Sequence, residues 1–292
     1  MFDLILVDFS WIYNKYYYVA KTRPMHTLKE LNSDEYLVPT LKDMLKRLFD
    51  LIGKSYPKAR VLLVLDPPLS STENFSLCQD YKQNRDKEEK KQVYKRFKDI
   101  VGGLSMLLNQ RFNFVRAVGY EADQVIAYLA EKHQVDKKVL IFTGDKDMLQ
   151  LSYYPNIGIS DKFEKGAFII KTDKEIFGKF KNHKGEDFTR ISTNKRDIIK
   201  YRVLRGDPSD NLGPVFPRIK DTEIANIIKN YWIDEEELTD ARINDIIDDI
   251  SGDDKELAYK LKGNRKTWLR NFKMMNLFGL KDIPVKKVVR HG

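Results

Sequence analysis

Cysteine and histidine are nearly absent from this chain, and their scarcity removes whole classes of chemistry. Cys78 is the single cysteine among 292 residues, so neither an intramolecular disulfide nor a cysteine-rich zinc site can form. The four histidines, His26, His133, His183 and His291, stand far apart and never in an HxH or HExxH spacing, so a zinc hydrolase is not expected. No apolar stretch approaches the roughly 18 residues a membrane helix needs, and Asp8 interrupts the first apolar run. Neither a membrane partner nor a signal peptide is expected. No internal repeat or low-complexity tract is visible. What the chain has in quantity is charge, with 52 lysines and arginines against 43 acids, a net +9. Residues that are 42% hydrophobic and 12% aromatic are ample for a core. The expectation is a basic, cytoplasmic monomer whose first partner to consider is nucleic acid.

Three short apolar runs read as buried parallel strands, and each leads into aspartate: Phe2–Val7 into Asp8, Arg60–Leu65 into Asp66, and Lys138–Phe142 into Asp145. Val, Ile and Leu fill them without alternation, as in strands covered on both faces. Helical periodicity separates them, in Asp34–Ser55 behind the start signal Ser33-Asp34 and in Glu121–His133. Alternating strands and helices predict an α/β, mostly parallel, doubly wound sheet, in which ligands gather at the carboxyl ends of strands. The domain reading is 1–183 for the α/β part, with an insertion over about 70–100, and 184–292 for a helical part. Within the insertion, Arg85–Lys98 holds seven basic and three acidic residues, either a solvated helix face or a basic lid. Thr172–His183 reads as a linker. The helical part carries an acidic block, Asp234–Asp254, and then a basic one, Lys255–Lys273. Of the aromatics that follow Asp8, namely Trp11, Tyr13, Tyr16, Tyr17 and Tyr18, at least three are expected in the core rather than stacking on bases.

Three further motifs are acidic: Gly119-Tyr120-Glu121-Ala122-Asp123, Thr143-Gly144-Asp145-Lys146-Asp147, and Gly206-Asp207-Pro208-Ser209-Asp210-Asn211. Taken singly, each has a local explanation, since Asp and Glu cap helix starts and suit turns. Taken together they fit that explanation poorly. Asp8, Asp66 and Asp145 fall along one sheet edge, and packing so many anions there costs several kcal/mol unless cations are present. An all-oxygen donor set points to Mg²⁺ or Mn²⁺, and two such ions suit phosphodiester cleavage.

At these motifs the chain resembles the 5′–3′ exonuclease/flap endonuclease family. The family's ordered pattern stands here as LILVDFS, LLVLDPP, GYEADQVIAYLA, FTGDKDMLQL and RGDPSDN, with Tyr81-Lys82-Gln83-Asn84-Arg85-Asp86 similar to its YKxxR segment. The likeness spans about residues 2 to 230, in the style of stand-alone phage members. It implies a PIN-like sheet with a helical arch and a C-terminal helix-hairpin-helix-type domain. It also implies that Asp8, Asp66, Glu121, Asp123 and Asp145 serve one metal ion, and Asp145, Asp147, Asp207 and Asp210 another. Lys82 and Arg85, on one helix, would act with Asp66 and Asp145 at the scissile phosphate. Tyr81, Lys82, Arg85, Arg218 and Lys220 would meet nucleic acid. The implied substrates are branched or nicked duplex DNA and RNA–DNA hybrids with a 5′ end or flap, cut to 5′-phosphate products during replication or repair. A polymerase or a single-strand-binding protein is the implied protein partner, and the host cytoplasm the location if the chain is phage-encoded.

Two departures stand out. Bacterial members often read EADD, but Gln124 holds the last position here, implying a weaker second metal site. The glycine-rich hairpin after GDxSDN is reduced to Gly213. That loss weakens the case for a K⁺ site and puts Arg218 and Lys220 forward in place of backbone contacts. Competing readings are an inactive DNA-binding protein on the same scaffold and a PIN-type ribonuclease. A nucleotide-binding α/β protein would need a Gly-rich loop after its first strand, which is missing.

Overall fold

The computed structural model describes residues 1–22, 34–67, 71–78, 80–82, 87–108, 112–180, 188–233 and 238–288. The chain divides into two compact units, one of residues 1–73, 85–171 and 278–292, the other of 74–84 and 172–277.

The first unit is built on a six-stranded sheet of β1 (Leu4–Asp8), β2 (Arg60–Val64), β3 (Phe112–Arg116), β4 (Val139–Phe142), β5 (Ile157–Ser160) and β8 (Lys286–Lys287), in the order β5-β4-β1-β2-β3-β8. All neighbours are parallel except β3 and β8. The chain winds from β1 outward to β3, then crosses back to β4 on the other side of β1. That reversal makes the carboxyl ends of β1 and β4 the switch point where such sheets bind ligands. Register sets Asp8 opposite Val64, and Val7 opposite Phe142.

Although β1, β2 and β4 are buried on both faces, their side chains still divide by twos. Ile5, Val7, Val61, Leu63, Leu140 and Phe142 join one core with Phe9, Ile12 and Tyr13 of α1 (Phe9–Thr22). Leu41, Leu45 and Phe49 of α2 (Asp34–Ser55) and Ile100 and Leu104 of α4 (Lys87–Leu107) complete it. On the opposite face lies α5 (Ala122–His133), with Val125, Ile126 and Leu129 buried. Of the aromatics after Asp8, Tyr13 and Tyr17 are core residues, Trp11 and Tyr16 pack against the core in part, and Tyr18 is exposed. A two-residue turn, Lys165-Gly166, both with positive φ, closes the hairpin of β6 (Phe163–Glu164) and β7 (Ala167–Phe168).

The second unit is helical: α6 (Asp173–Phe177), α7 (Asp197–Arg205), α8 (Asp221–Asn226), α9 (Asp240–Asp253), α10 (Lys255–Gly263) and α11 (Arg265–Met275). The short α3 (Glu73–Leu77) falls at the division between units. The acidic block resolves in α9 into an amphipathic helix, with Ile243, Ile246, Ile247 and Ile250 buried and Asp245, Asp248 and Asp249 exposed. Trp232 and Trp268, 5.5 Å apart edge to face, sit at this core. Asn271 is fully buried and satisfied, its amide donating to the carbonyls of Val203 and Gly213 at 3.0 and 2.9 Å.

Several sequence expectations need correction. The linker reading of Thr172–His183 missed α6, which Thr172 and Glu175 cap reciprocally. The reading of 184–292 as helical did not anticipate β8, whose two lysines carry no apolar strand signal. The helix reading of the charged run holds from Lys87 to Lys98, which belong to α4, a helix running on to Leu107. Among the described residues no helix is long and apolar enough to cross a membrane.

Candidate active site

In the first unit the carboxylates are organised by a chain of hydrogen bonds at the carboxyl end of the sheet. Asp8 ends β1, and its Oδ1 accepts the Trp11 backbone N–H at 3.0 Å, capping α1. Its Oδ2 accepts the Thr143 hydroxyl at 2.8 Å. Thr143 follows β4 and is itself an acceptor, for the Asp145 backbone N–H at 3.1 Å. Asp145 Oδ1 in turn accepts the Asp147 N–H at 2.9 Å. Asp66, two residues beyond β2, accepts the Ala122 N–H at 2.8 Å and so holds the start of α5. Glu121 and Asp123 lie in that first turn, Glu121 buried and Asp123 partly so.

Gln124 has a structural role here. It is buried, its side-chain carbonyl accepts the Glu121 N–H at 2.9 Å, and its own N–H goes to Asp123 Oδ1 at 2.7 Å. The residue that replaces an acid in this motif is therefore part of the helix cap.

The electrostatics single out Asp8. Burial, followed by the Asp66 charge, drives the Asp8 carboxyl up from its ordinary 3.8 to about 7, with Asp145 adding to the rise. Hydrogen bonds from Trp11 and Thr143 oppose it without cancelling it. A carboxyl buried beside other acids is short of positive charge, and an all-oxygen donor set suits a hard divalent cation. The donor chemistry therefore fits Mg²⁺ or Mn²⁺. Among the described residues, no three His, Cys, Asp or Glu side chains are gathered into a group that would hold an ion as they stand. Asp145 is exposed, and it and Asp147 stand on a loop that leads into a 3₁₀ turn (Asp147–Tyr153).

The second unit holds a separate constellation. Asp207 and Asp210, which the resemblance puts forward for a second metal ion, belong to a 3₁₀ turn of Pro208–Asp210 that Asp207 caps from outside. Both its oxygens are engaged: Oδ1 accepts the Ser209 N–H and hydroxyl at 2.8 and 2.6 Å, and Oδ2 pairs with Arg202 at 2.5 Å. Burial would raise this carboxyl, but Arg202 and Ser209 outweigh burial and hold it below its usual range. Asp210 meets the 80–82 segment. Its carbonyl accepts the Lys82 N–H at 3.1 Å, and its Oδ2 lies 3.4 Å from the Tyr81 hydroxyl and 3.9 Å from Lys82 Nζ.

The helix expected to carry both Lys82 and Arg85 is not seen at Lys82. Lys82 lies in a turn with φ +55, a conformation L-residues adopt at a cost, and Arg85 lies outside the described residues. Tyr81 is buried, under the Lys82 ammonium at 4.6 Å from its ring. Arg218, with φ +61, and Lys220, at the start of α8, are both exposed on the connection from α7. Sequence reasoning passed over Thr143, because a threonine in a turn is unremarkable until its two partners are known. It also passed over Arg202, whose partner is five residues on without any helical spacing rule.

Comparison with known proteins places the chain in a family. A family model described as "5′-3′ exonuclease, N-terminal resolvase-like domain" matches residues 3–181. The chain is 30% identical over 263 residues to a 5′-3′ exonuclease of Aquifex aeolicus, covering 88% of this chain and 79% of that one. It is 26% identical over 195 residues to DNA polymerase I of Mycobacterium tuberculosis, covering 64% of this chain and 18% of the polymerase. In structure it is similar to T5 5′-exonuclease with divalent metal ions (zinc) bound. The TM-score is 0.62 at 18% identity, with 94% of this chain and 89% of that one covered. At that identity the likeness is one of fold.

Proposed function

This chain belongs to the 5′–3′ exonuclease family, and from that premise we propose that it is a divalent-metal-dependent, structure-specific 5′ nuclease of DNA replication or repair. Its substrates would be 5′ ends and flaps on duplex DNA and RNA primers on RNA–DNA hybrids, cut to leave 5′-phosphates. The observation that carries the proposal is the burial of the Asp8 carboxyl at the switch point of the sheet, where the charges of Asp66 and, less strongly, Asp145 add to its cost. A fold gains nothing from such crowding unless a cation is part of the working state. T5 5′-exonuclease has divalent metal ions bound, which supports a metal requirement in this chain.

Asp8, Asp66, Glu121, Asp123, Asp145 and Asp147 would hold the ions. When bound, they supply charge neutralisation and Lewis acidity at the phosphate. The chain's own groups do the rest. Thr143 fixes the Asp8 carboxylate by donating to it and sets the Asp145 loop by accepting its N–H. Asp66 anchors the turn carrying Glu121 and Asp123. In the second unit, Lys82 would present its ammonium to a phosphate oxygen, with Tyr81 and Asp210 fixing the turn it stands on. Arg218 and Lys220, with Arg85, would bind the duplex through phosphates.

A 5′-flap duplex and an RNA–DNA hybrid, each incubated with Mg²⁺ and with EDTA, test the proposal. Cleavage from the 5′ side that EDTA abolishes is expected. Tight binding to the flap without cleavage in Mg²⁺ or Mn²⁺ would favour an inactive scaffold, and cleavage confined to single-stranded RNA would favour a PIN-type ribonuclease.

A further inference from the structure

Gly144 stands between Thr143 and Asp145, at the carboxyl end of β4. Its backbone is not in the left-handed region that reserves a position for glycine. What excludes a side chain is Trp11. A Cβ at 144 would collide with indole Nε1, and would stand 2.5 Å from Cε2 and 2.8 Å from Cζ2, distances no real Cβ keeps. The indole has neighbours on other sides as well. One edge meets Phe142 at 5.6 Å and 76°, and the Lys15 ammonium lies over the ring, 4.8 Å from its centre. Lys15 is itself tied to the Asp161 carbonyl at 2.9 Å. The same Trp11 donates its backbone N–H to Asp8.

We propose that Trp11 is a positioning residue that seats the Gly144 peptide and so sets Asp145 relative to Asp8, with Gly144 as the notch cut to receive the indole. One residue at the N-terminus of α1 thus meets Asp8 through its backbone N–H and the peptide before Asp145 through its ring. The bare peptide at 144 is then required by packing against Trp11, not by φ. Such outer partners typically govern how well a metal site holds its ion. The inference rests on the reading of Asp8 and Asp145 as cation ligands, and the test separates the two.

The test is a double-mutant cycle read as Mn²⁺ affinity by calorimetry on the full chain, with circular dichroism and melting of the metal-free proteins as the folding control. Gly144→Ala should weaken Mn²⁺ binding about tenfold to a hundredfold, and Trp11→Ala should weaken it by about tenfold. In the Trp11→Ala background, Gly144→Ala should add no further loss, because the methyl enters the space the indole left. If Trp11→Ala does not fold, Trp11→Phe, which lacks Nε1 and Cζ2, carries the same cycle. Additive losses, or wild-type affinity in Gly144→Ala, would overturn the positioning role while leaving the cation site standing. A wild type that takes up no Mn²⁺ would overturn the cation site and this proposal with it.

Discussion

Thr143 Oγ1 donates to Asp8 Oδ2 at 2.8 Å while accepting the backbone N–H of Asp145 at 3.1 Å. One hydroxyl thereby joins the carboxyl ends of two adjacent parallel strands, β1 and β4. It is spent on a carboxylate that burial and two neighbouring acids push towards protonation. The hydrogen bond favours the charged form, so Thr143 helps keep Asp8 ionised where a cation would need it.

Thr143→Val keeps the shape of the side chain and removes both bonds. Hydrogen bonds to charged groups are worth about 1.5–3 kcal/mol, so single-turnover cleavage of a 5′-flap duplex should slow by about tenfold to a hundredfold. Half-saturation in Mg²⁺ should rise with it. An unchanged rate at every Mg²⁺ concentration would show that Asp8 and Asp145 need no such bridge.

Arg202 and Asp207 make the opposite case, an acid whose charge is provided for. Arg202→Ala would leave the largely buried Asp207 carboxylate without its cation, a loss of about 2–4 kcal/mol for a pair this sheltered. Asp207→Asn should cost less, because the amide oxygen still caps the turn at Ser209. Since the folded-state value lies below the ordinary 3.8, this acid's contribution is present above 3.8 and is lost as pH falls through the depressed value. Urea melts of both variants at pH 7 and at pH 3 test the ranking and the sign. Equal losses at pH 7 would refute the ion pair as the source.

The parallel sheet was legible because Val, Ile and Leu dominate β1, β2 and β4 and an aspartate stands at or shortly after the end of each. For β3 and β5 the signal was too short, and Lys286 and Lys287 of β8 carry none, since backbone pairing at an edge needs no apolar side chain. The carboxylates of the site were readable as residue types in order. Their individual tasks were not, because Asp66 capping α5 and Gln124 capping Glu121 depend on neighbours 56 and 3 residues away in sequence. Lys82 was named from its motif, but its turn was not foreseen. Its left-handed turn goes with a bond to the Asp210 carbonyl, a partner 128 residues on that no local propensity announces.

That turn allows function to be separated from stability. Glycine adopts positive φ without the penalty other residues bear, so Lys82→Gly should be more stable than Lys82→Ala by about 1 kcal/mol. Both variants should lose cleavage rate far more than duplex affinity, if the ammonium acts on the phosphate in the transition state. Rates from single-turnover assays, affinities from fluorescence anisotropy and melting temperatures give the three quantities. A parallel fall in rate and affinity would make Lys82 a simple phosphate anchor.

The last expectation turns on the sign of the Asp8 shift. The carboxyl titrates at about 7 in the fold against an ordinary 3.8, so the folded state binds the proton more tightly than the unfolded chain between those values. Its contribution to stability is therefore complete below 3.8 and is lost as pH rises through about 7. In EDTA, wild type should lose melting temperature relative to Asp8→Asn between pH 5 and pH 8, on the order of pKa-scale linkage. Asparagine can keep the cap on Trp11 and removes the charge that burial, Asp66 and Asp145 oppose, so at pH 8 the variant should melt higher. Mg²⁺ reverses the comparison. It binds the folded wild type and stabilises it by about 2.7 kcal/mol at a hundredfold excess over Kd, while the variant has lost a ligand and gains less. Melts of the two proteins across pH, with and without Mg²⁺, should therefore cross. If the curves stay parallel in EDTA from pH 5 to pH 8, Asp8 is not held against its charge. The electrostatic argument for a cation at this edge of the sheet would then lose its footing.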